Sequence, residues 1–174
     1  MSIDNLQDLM VEELRDMYHA ETQLVKALPK LAKAASTPAL KEAFERHLGQ
    51  TQKQVERIDQ IFEQLGGSPK GKRCKGMEGI LKEGEDLLDE EGPGAVIDAG
   101  LIAAAQRVEH YEIAAYGCIR SYASLLGLSD VAQLVEQSLE EEEAADRLLS
   151  ELAETEINTL ALEGTGGENP DRKA

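Results

Sequence analysis

Four acidic side chains lie on the apolar faces of two predicted helices in the second half of the chain. Glu109 and Glu112 belong to the run RVEHYEIAAYG, and Glu142 and Asp146 belong to the run LEEEEAADRLL. Leu, Ile, Ala and Val share these faces, and no Lys or Arg does. A carboxylate on a core face is unfavourable by several kcal/mol unless it is paired, protonated or bound to a metal. The pattern therefore predicts a helical bundle with a metal site between its helices.

The composition favours long helices and excludes two classes of partner. Ala, Leu and Glu are abundant, and 41% of the 174 residues are hydrophobic, which is enough for the core of one domain. The net charge of −16 would repel both a nucleic-acid backbone and an anionic membrane surface. We therefore predict no nucleic-acid partner and no membrane partner, and we interpret most of the acidic residues as a solvated face.

The cysteines and the N-terminal segment bear on the compartment. Cys74 and Cys118 are not part of a CxxC motif, which is typical of free thiols in a reducing compartment. The segment MSIDNLQDLMVEEL has acidic residues where a signal peptide has basic and then apolar ones. No apolar run approaches the ~18 residues of a membrane span. We therefore expect a soluble, cytoplasmic protein.

Apolar residues that recur at spacings of three and four predict four long helices and one short one. The helices are predicted at residues 4–35, 38–65, 77–90, 95–126 and 129–160. The passage 66–92 is too long for a hairpin turn but can cross the length of a bundle. We therefore predict an all-α fold. Residues 1–163 are expected to form a ferritin-like four-helix bundle, with a long crossover between the second and third long helices that carries the short one. Residues 164–174 are expected to form a flexible tail.

The two halves of the chain also share a pattern, with an offset of 91 residues. This offset places Tyr18, Glu21 and Val25 on Glu109, Glu112 and Tyr116, and it places Leu48, Thr51, Val55 and Ile58 on Leu139, Glu142, Asp146 and Leu149. Two helical hairpins related in this way can share one core about a quasi-twofold axis.

Bundles that bind two iron or two manganese ions use carboxylates that bridge the cations. Their usual pattern is one Glu from each of two helices and a Glu-x-x-His motif from each of the other two. No Glu-x-x-His occurs at the expected places in this chain, and Asp146 could take the position of the His. Spacings of three and four residues keep paired candidates on one helix face. The candidate ligands are Glu21, His47, Gln50, Glu109, Glu112, Glu142 and Asp146.

Several candidates also have a structural interpretation. Glu21 could pair with a Lys at the edge of the core, His47 could line that edge, and Gln50 could be a solvated polar residue. Glu142 belongs to a run of four Glu, of which three must face solvent or the flank. Asp146 is unfavourable within a helix, so its presence there needs a reason.

Four further polar residues accompany the candidate ligands. Tyr18 and Tyr116 are predicted to hydrogen-bond to the ligand carboxylates. His19 and His110 are predicted to point outward as ordinary surface histidines.

The sequence resembles the YciF-type family of ferritin-like proteins over about residues 3–160. The matching stretches are AETQLVKALPKLAKA, LIAAAQ, RVEHYEIAAYG and LEEEEAAD, with HLGQTQKQVERIDQIF as a looser match. The resemblance implies a rubrerythrin-like di-metal centre in a bacterial stress-associated protein, usually a homodimer, whose reaction is not settled. It also implies that the metal candidates are those named above, apart from Gln50. Relatives commonly have two Glu after His-Leu in the second-helix motif, where this chain has Gly49 and Gln50.

These patterns lead to one favoured function and one alternative. The favoured function is a di-iron protein, with manganese as the other possible metal, that reacts with oxygen or peroxide. In it Glu112 and Glu142 bridge the ions and Glu21 and Glu109 hold outer positions. His47 or Asp146 completes the set. The alternative is a non-catalytic dimeric structural or interaction protein whose metal only stiffens the core; the neutral Gln50 favours it.

Overall fold

The described part of the chain, residues 3–164 of a computed structural model, consists of helices without any strand. They are α1 (Leu6–Ala34), α2 (Pro38–Leu65), α3 (Lys75–Asp86), α4 (Gly94–Leu125), α5 (Ser129–Leu152) and α6 (Asn158–Glu163). The all-α prediction is confirmed. The tail predicted at residues 164–174 lies, except for Gly164, outside the described residues. None of the described helices is both long and apolar enough to cross a membrane.

The four long helices form the predicted bundle. α1 pairs with α2 and α4 pairs with α5, and the two pairs pack together through α1 on α4 and α2 on α5. Ser36 near the end of α1 contacts Asp98 near the start of α4, while Glu21 contacts Tyr116 further along α4. These contacts show that α4 runs antiparallel to α1. Because α2 also follows α1 through a short turn, the passage to α4 must run back along the bundle, as the crossover prediction requires.

A buried aspartate ties the first hairpin to the second. The carboxylate of Asp98 in α4 accepts hydrogen bonds from the backbone N–H and the hydroxyl of Ser36, and from the same two groups of Thr37, at 2.7–2.8 Å. Thr37 is the N-cap of α2 but makes no side-chain capping bond, because its hydroxyl is directed to Asp98. The turn between α1 and α2 is therefore held by α4.

The crossover is anchored by a polar cluster around Cys74. Its thiol lies 3.0 Å from the hydroxyl of Tyr111, which donates to Asp16 at 2.7 Å. The backbone N–H of Cys74 donates to Nδ1 of His19 at 3.0 Å. The prediction that His19 is an ordinary surface histidine is therefore wrong, because its ring holds the crossover. A Cβ on Gly76 would lie 2.8 Å from the Tyr111 ring, so a glycine lets α3 approach α4 closely.

The last long helix differs from the prediction in its final third. One α-helix was expected to residue 160, but α5 ends at Leu152 and a π-helical turn, Ala153–Ile157, leads into α6. A regular α-helix turns by about 100° per residue, so a spacing of eight residues would rotate Ile157 away from the face of Leu149. The π turn contains one residue more than an α-helical turn, so it brings Ile157 back to the face of Leu149. Leu149 and Ile157 are accordingly both buried.

Candidate metal centre

Four of the predicted ligands meet between the helices in the middle of the bundle. His47 from α2, Glu109 and Glu112 from α4, and Glu142 from α5 each offer one atom, and these atoms all lie within 4.8 Å of one another. Nε2 of His47 is 3.3 Å from Oε1 of Glu109 and 3.5 Å from Oε2 of Glu142. Glu112 and Glu142 have no exposed surface, and His47 retains 4%.

Glu21 from α1 lies beside this cluster and is also fully buried. The hydroxyl of Tyr116 donates a hydrogen bond to its Oε1 atom, as predicted for that tyrosine. The negative charge of Glu21 raises the pKa values of Glu109 and Glu112, and the negative charge of Glu142 raises the pKa of Glu21. We name the five residues Glu21, His47, Glu109, Glu112 and Glu142 the carboxylate cluster.

The offset of 91 residues relates the buried polar positions of the two hairpins. Glu21 corresponds to Glu112, and Thr51 corresponds to Glu142, and all four are fully buried. The Thr51 hydroxyl donates to the carbonyl of His47 at 3.0 Å, so it fixes the helix instead of supplying a carboxylate. The second helix therefore contributes its imidazole where the other three contribute Glu.

The cluster contains buried polar atoms that have no hydrogen-bond partner. These atoms are Oε2 of Glu21, Nε2 of His47, Oε2 of Glu109, both carboxylate oxygens of Glu112 and Oε2 of Glu142. Buried polar groups in folded proteins are nearly always hydrogen-bonded, because an unpaired one keeps the full cost of its desolvation. Carboxylate oxygens together with an imidazole nitrogen are the donors that iron and manganese take in helical bundles. The residues present therefore fit a divalent metal.

Burial and mutual repulsion both raise the proton affinity of three of these acids. The pKa values of Glu21, Glu109 and Glu112 are raised well above the ordinary value, first by desolvation and then by the neighbouring carboxylates. The pKa of Tyr116 is raised as well, first by burial and then by the charge of Glu21. In the absence of a cation Glu21, Glu109 and Glu112 thus hold protons that they would lose in water.

A buried glutamine that the sequence analysis did not select also reaches the cluster. Gln54 has no exposed surface, and its amide donates to Glu142 and, at 3.1 Å, to Glu141. Arg57 holds Glu141 through two hydrogen bonds of 2.6 and 2.7 Å. The available signal was spacing: Gln54 follows His47 by seven residues, which places both on one face of α2.

Two predicted ligands lie outside the cluster. Asp146 is only half-buried, accepts a hydrogen bond of 3.0 Å from Gln106 and lies 3.2 Å from Nε2 of the exposed His110. Gln50 is half-buried at the edge, with Oε1 3.4 Å from Nδ1 of His47. Tyr18 is half-buried, and within residues 3–164 it makes no hydrogen bond to a carboxylate. The structure therefore brings together five of the seven candidates.

A cavity of about 290 Å³ leads from the surface between α2 and α5 to the cluster. His47 and Glu109 form its inner end. The cluster is therefore buried within the bundle but reachable from one side.

The fold and the site define an all-α, four-helix bundle protein with a buried carboxylate–histidine cluster. The chain belongs to the DUF892 family, described as a domain of unknown function, whose profile matches residues 5–162. This membership and the likeness to Escherichia coli YciF described next confirm the resemblance predicted from the sequence.

Individual relatives agree with this assignment. The chain is 43% identical over 162 residues to Protein YciF of Escherichia coli (strain K12), which covers 92% of this chain and 98% of YciF. The crystal structure of that stress protein matches with a TM-score of 0.86, over 90% of this chain and 99% of the other. YcfI of Rhodopseudomonas palustris, described as a candidate structural protein, matches with a TM-score of 0.83 at 42% identity, over 86% and 95% of the two chains. A Xanthomonas campestris protein at 24% identity and a TM-score of 0.73, over 91% and 97%, shares the fold.

Proposed function

We propose that this protein binds two iron ions, or two manganese ions, in the carboxylate cluster and reacts there with oxygen or a peroxide. The observation that supports the proposal is the set of buried, unpartnered oxygen and nitrogen atoms described above. Glu21, Glu109, Glu112 and Glu142 carry four negative charges when ionised, which two divalent cations would balance. A single cation would leave a net charge in the core, which is unfavourable.

The carboxylate cluster would supply the protein ligands of the metals. Glu21, Glu109, Glu112 and Glu142 would supply the oxygen ligands, and His47 would supply the nitrogen ligand. Gln54 orients Glu142 and Tyr116 orients Glu21, which keeps each carboxylate in place before the ions arrive. When bound, iron would supply electrons for the reduction of oxygen or a peroxide. The name stress protein, given to the Escherichia coli relative, is compatible with such a role.

A structural role is the second candidate, and two observations favour it. One relative is described as a candidate structural protein. In addition, Gln50 offers a neutral amide where relatives are expected to have Glu, and it lies beside His47 and not among the carboxylates. In this reading the metal stiffens the bundle and no substrate reacts.

Metal content and redox behaviour separate the two candidates. Protein purified from its own host should contain about two iron or manganese ions per chain by elemental analysis, with anomalous scattering between α2, α4 and α5. Metal that stays in one oxidation state when oxygen or peroxide is added supports the structural role. Absence of any metal after purification and after soaking would overturn both readings of the cluster.

We also propose that the protein is a homodimer. Val96 and Leu125, near opposite ends of α4, are 45% and 75% exposed, and a second copy could cover such apolar side chains. Sedimentation should give twice the chain mass of 19.0 kDa. A single species at the monomer mass across micromolar concentrations would contradict the proposal.

A further inference from the structure

The cavity between α2 and α5 is larger than oxygen or hydrogen peroxide requires. Its volume is about 290 Å³. One water occupies about 30 Å³ of liquid, and a diatomic or four-atom molecule needs little more. Small-molecule sites begin at about 300 Å³. The cavity therefore has room for the body of an organic molecule next to the carboxylate cluster.

The walls and the mouth of the cavity differ in chemistry. Ala43 and Phe44 of α2 face Leu148 and Leu149 of α5 across an apolar space. Arg46 and Gln50 stand at the mouth, and Arg46 is exposed. Apolar walls gain when they exclude water, so the body of the ligand should be apolar.

The inner end of the cavity selects the head group. His47 and Glu109 are both more than nine-tenths buried, and Nε2 of the one and Oε2 of the other have no hydrogen-bond partner. Glu112 and Glu142 lie just behind them, and all four residues are assigned to the proposed metals. The inner end of the cavity therefore opens on the site where a peroxide is proposed to react, so a peroxide group fits this end.

We infer that the cavity binds an organic hydroperoxide, with its apolar body between α2 and α5 and its O–OH group at the inner end, beside the proposed metal site. This inference rests on the proposed function, for which it names the substrate class. Reduction of ROOH to ROH and water consumes two electrons and two protons; the electrons come from the ferrous iron of the proposed function and the protons from solvent.

Binding can be measured without turnover by using the product alcohol as a probe. Metal-free protein is titrated with 2-phenyl-2-propanol and followed by NMR. Ala145→Phe fills the cavity, whose wall includes Ala145, and should weaken binding by at least ~10-fold. Gln133→Phe adds the same side chain to an exposed site of α5 outside the cavity and should leave binding unchanged. If Ala145→Phe fails to fold, Ala144→Phe tests the same wall.

Activity of the iron-loaded protein provides the second readout. Ala145→Phe should lower kcat/KM for cumene hydroperoxide by at least ~10-fold and lower that for the much smaller hydrogen peroxide by clearly less. Equal affinity for the alcohol in all variants would overturn the inference. An equal loss of kcat/KM with cumene hydroperoxide and with hydrogen peroxide would also overturn it. If the alcohol binds in the cavity and the parent reduces neither peroxide, the proposed function fails while the binding site stands.

Discussion

Glu112 is the residue on which the metal assignment depends most. It is fully buried, and neither of its carboxylate oxygens has a hydrogen-bond partner. Its pKa is raised first by burial and then by the charges of Glu21, Glu142 and Glu109. In the metal-free protein this side chain therefore destabilises the fold through burial and repulsion, and a metal bound in the cluster would relieve both.

Replacing Glu112 with Ala should have opposite effects with and without metal. Without metal the melting temperature should stay the same or rise, because one member of a mutually repelling set of acids is removed. With iron or manganese added, the rise seen in the parent should be lost, because binding to the folded state alone is what stabilises it. Thermal unfolding of both proteins with and without metal checks this.

The control for Glu112→Ala is Glu140→Ala, because the neighbouring Glu141 is itself bonded to other residues. Glu140 is exposed on α5, whereas Glu141 is held by Arg57 at 2.6 and 2.7 Å and bonded to Gln54. An exposed substitution of this kind changes stability by less than about 0.5 kcal/mol. If Glu112→Ala keeps the full metal-dependent rise, Glu112 is not a ligand.

At the scale of the helices, Asp98 holds the α1–α2 turn against α4. It is fully buried and accepts four hydrogen bonds from Ser36 and Thr37. A hydrogen bond to a charged group contributes about 1.5–3 kcal/mol, and a buried donor left without its acceptor keeps its desolvation cost. Much of the register between the two hairpins should therefore depend on this one side chain.

Asp98→Ala should lower the free energy of unfolding by about 2–4 kcal/mol, because four donors lose their acceptor. At about 2–4 °C per kcal/mol for a chain of this size, the melting temperature should fall by roughly 4–16 °C. Asp89→Ala, at an exposed position of the crossover, is the matched control and should change little. Similar melting temperatures for the two variants would show that the hydrogen bonds to Asp98 add no stability.

For the whole molecule, the buried acids link stability to pH. The pKa values of Glu21, Glu109 and Glu112 are raised in the folded state, so between the ordinary carboxyl range and these raised values the folded protein binds more protons than the unfolded one. The contribution of these three acids to the stability of the metal-free protein should therefore be full below the ordinary carboxyl pKa of about 4.3 and be lost as pH rises through that window. A metal bound by the proposed cluster would compete with the same protons, so its stabilising effect should grow with pH.

Melting temperatures from about pH 5 to about pH 8, with and without metal, check this linkage. The difference in melting temperature with and without metal, which is the gap between the two curves, should increase toward higher pH. Repulsion among the exposed acids, at a net charge of −16, would also lower stability at high pH. The double variant Glu109→Gln with Glu112→Gln separates the two effects, since it should flatten the metal-free curve while nearly all exposed charges remain. A gap that is constant with pH would contradict the linkage.

The sequence alone determined the helices apart from the π turn near the end of the last one, together with their connectivity and most of the buried acids. These follow from local rules: the spacing of apolar residues, Pro38 at a helix start, Gly66 at a helix end, and the length of the crossover. Glu109 and Glu112 could be selected because their Glu-x-x-Glu spacing lies within an otherwise apolar stripe.

Only the tertiary structure decided which polar residues at the edges of those stripes turn inward. Asp146 follows Glu142 by four residues, which rotates it about 40° away, and it bonds to Gln106 and His110 on the flank. Gln54 looks like a solvated residue in the sequence, yet the packing of α2 against α5 brings it to Glu142. Spacing along one helix places a residue on a face, whereas the rotation of each helix against its neighbours, set by contacts between distant parts of the chain, determines whether that face reaches the cluster.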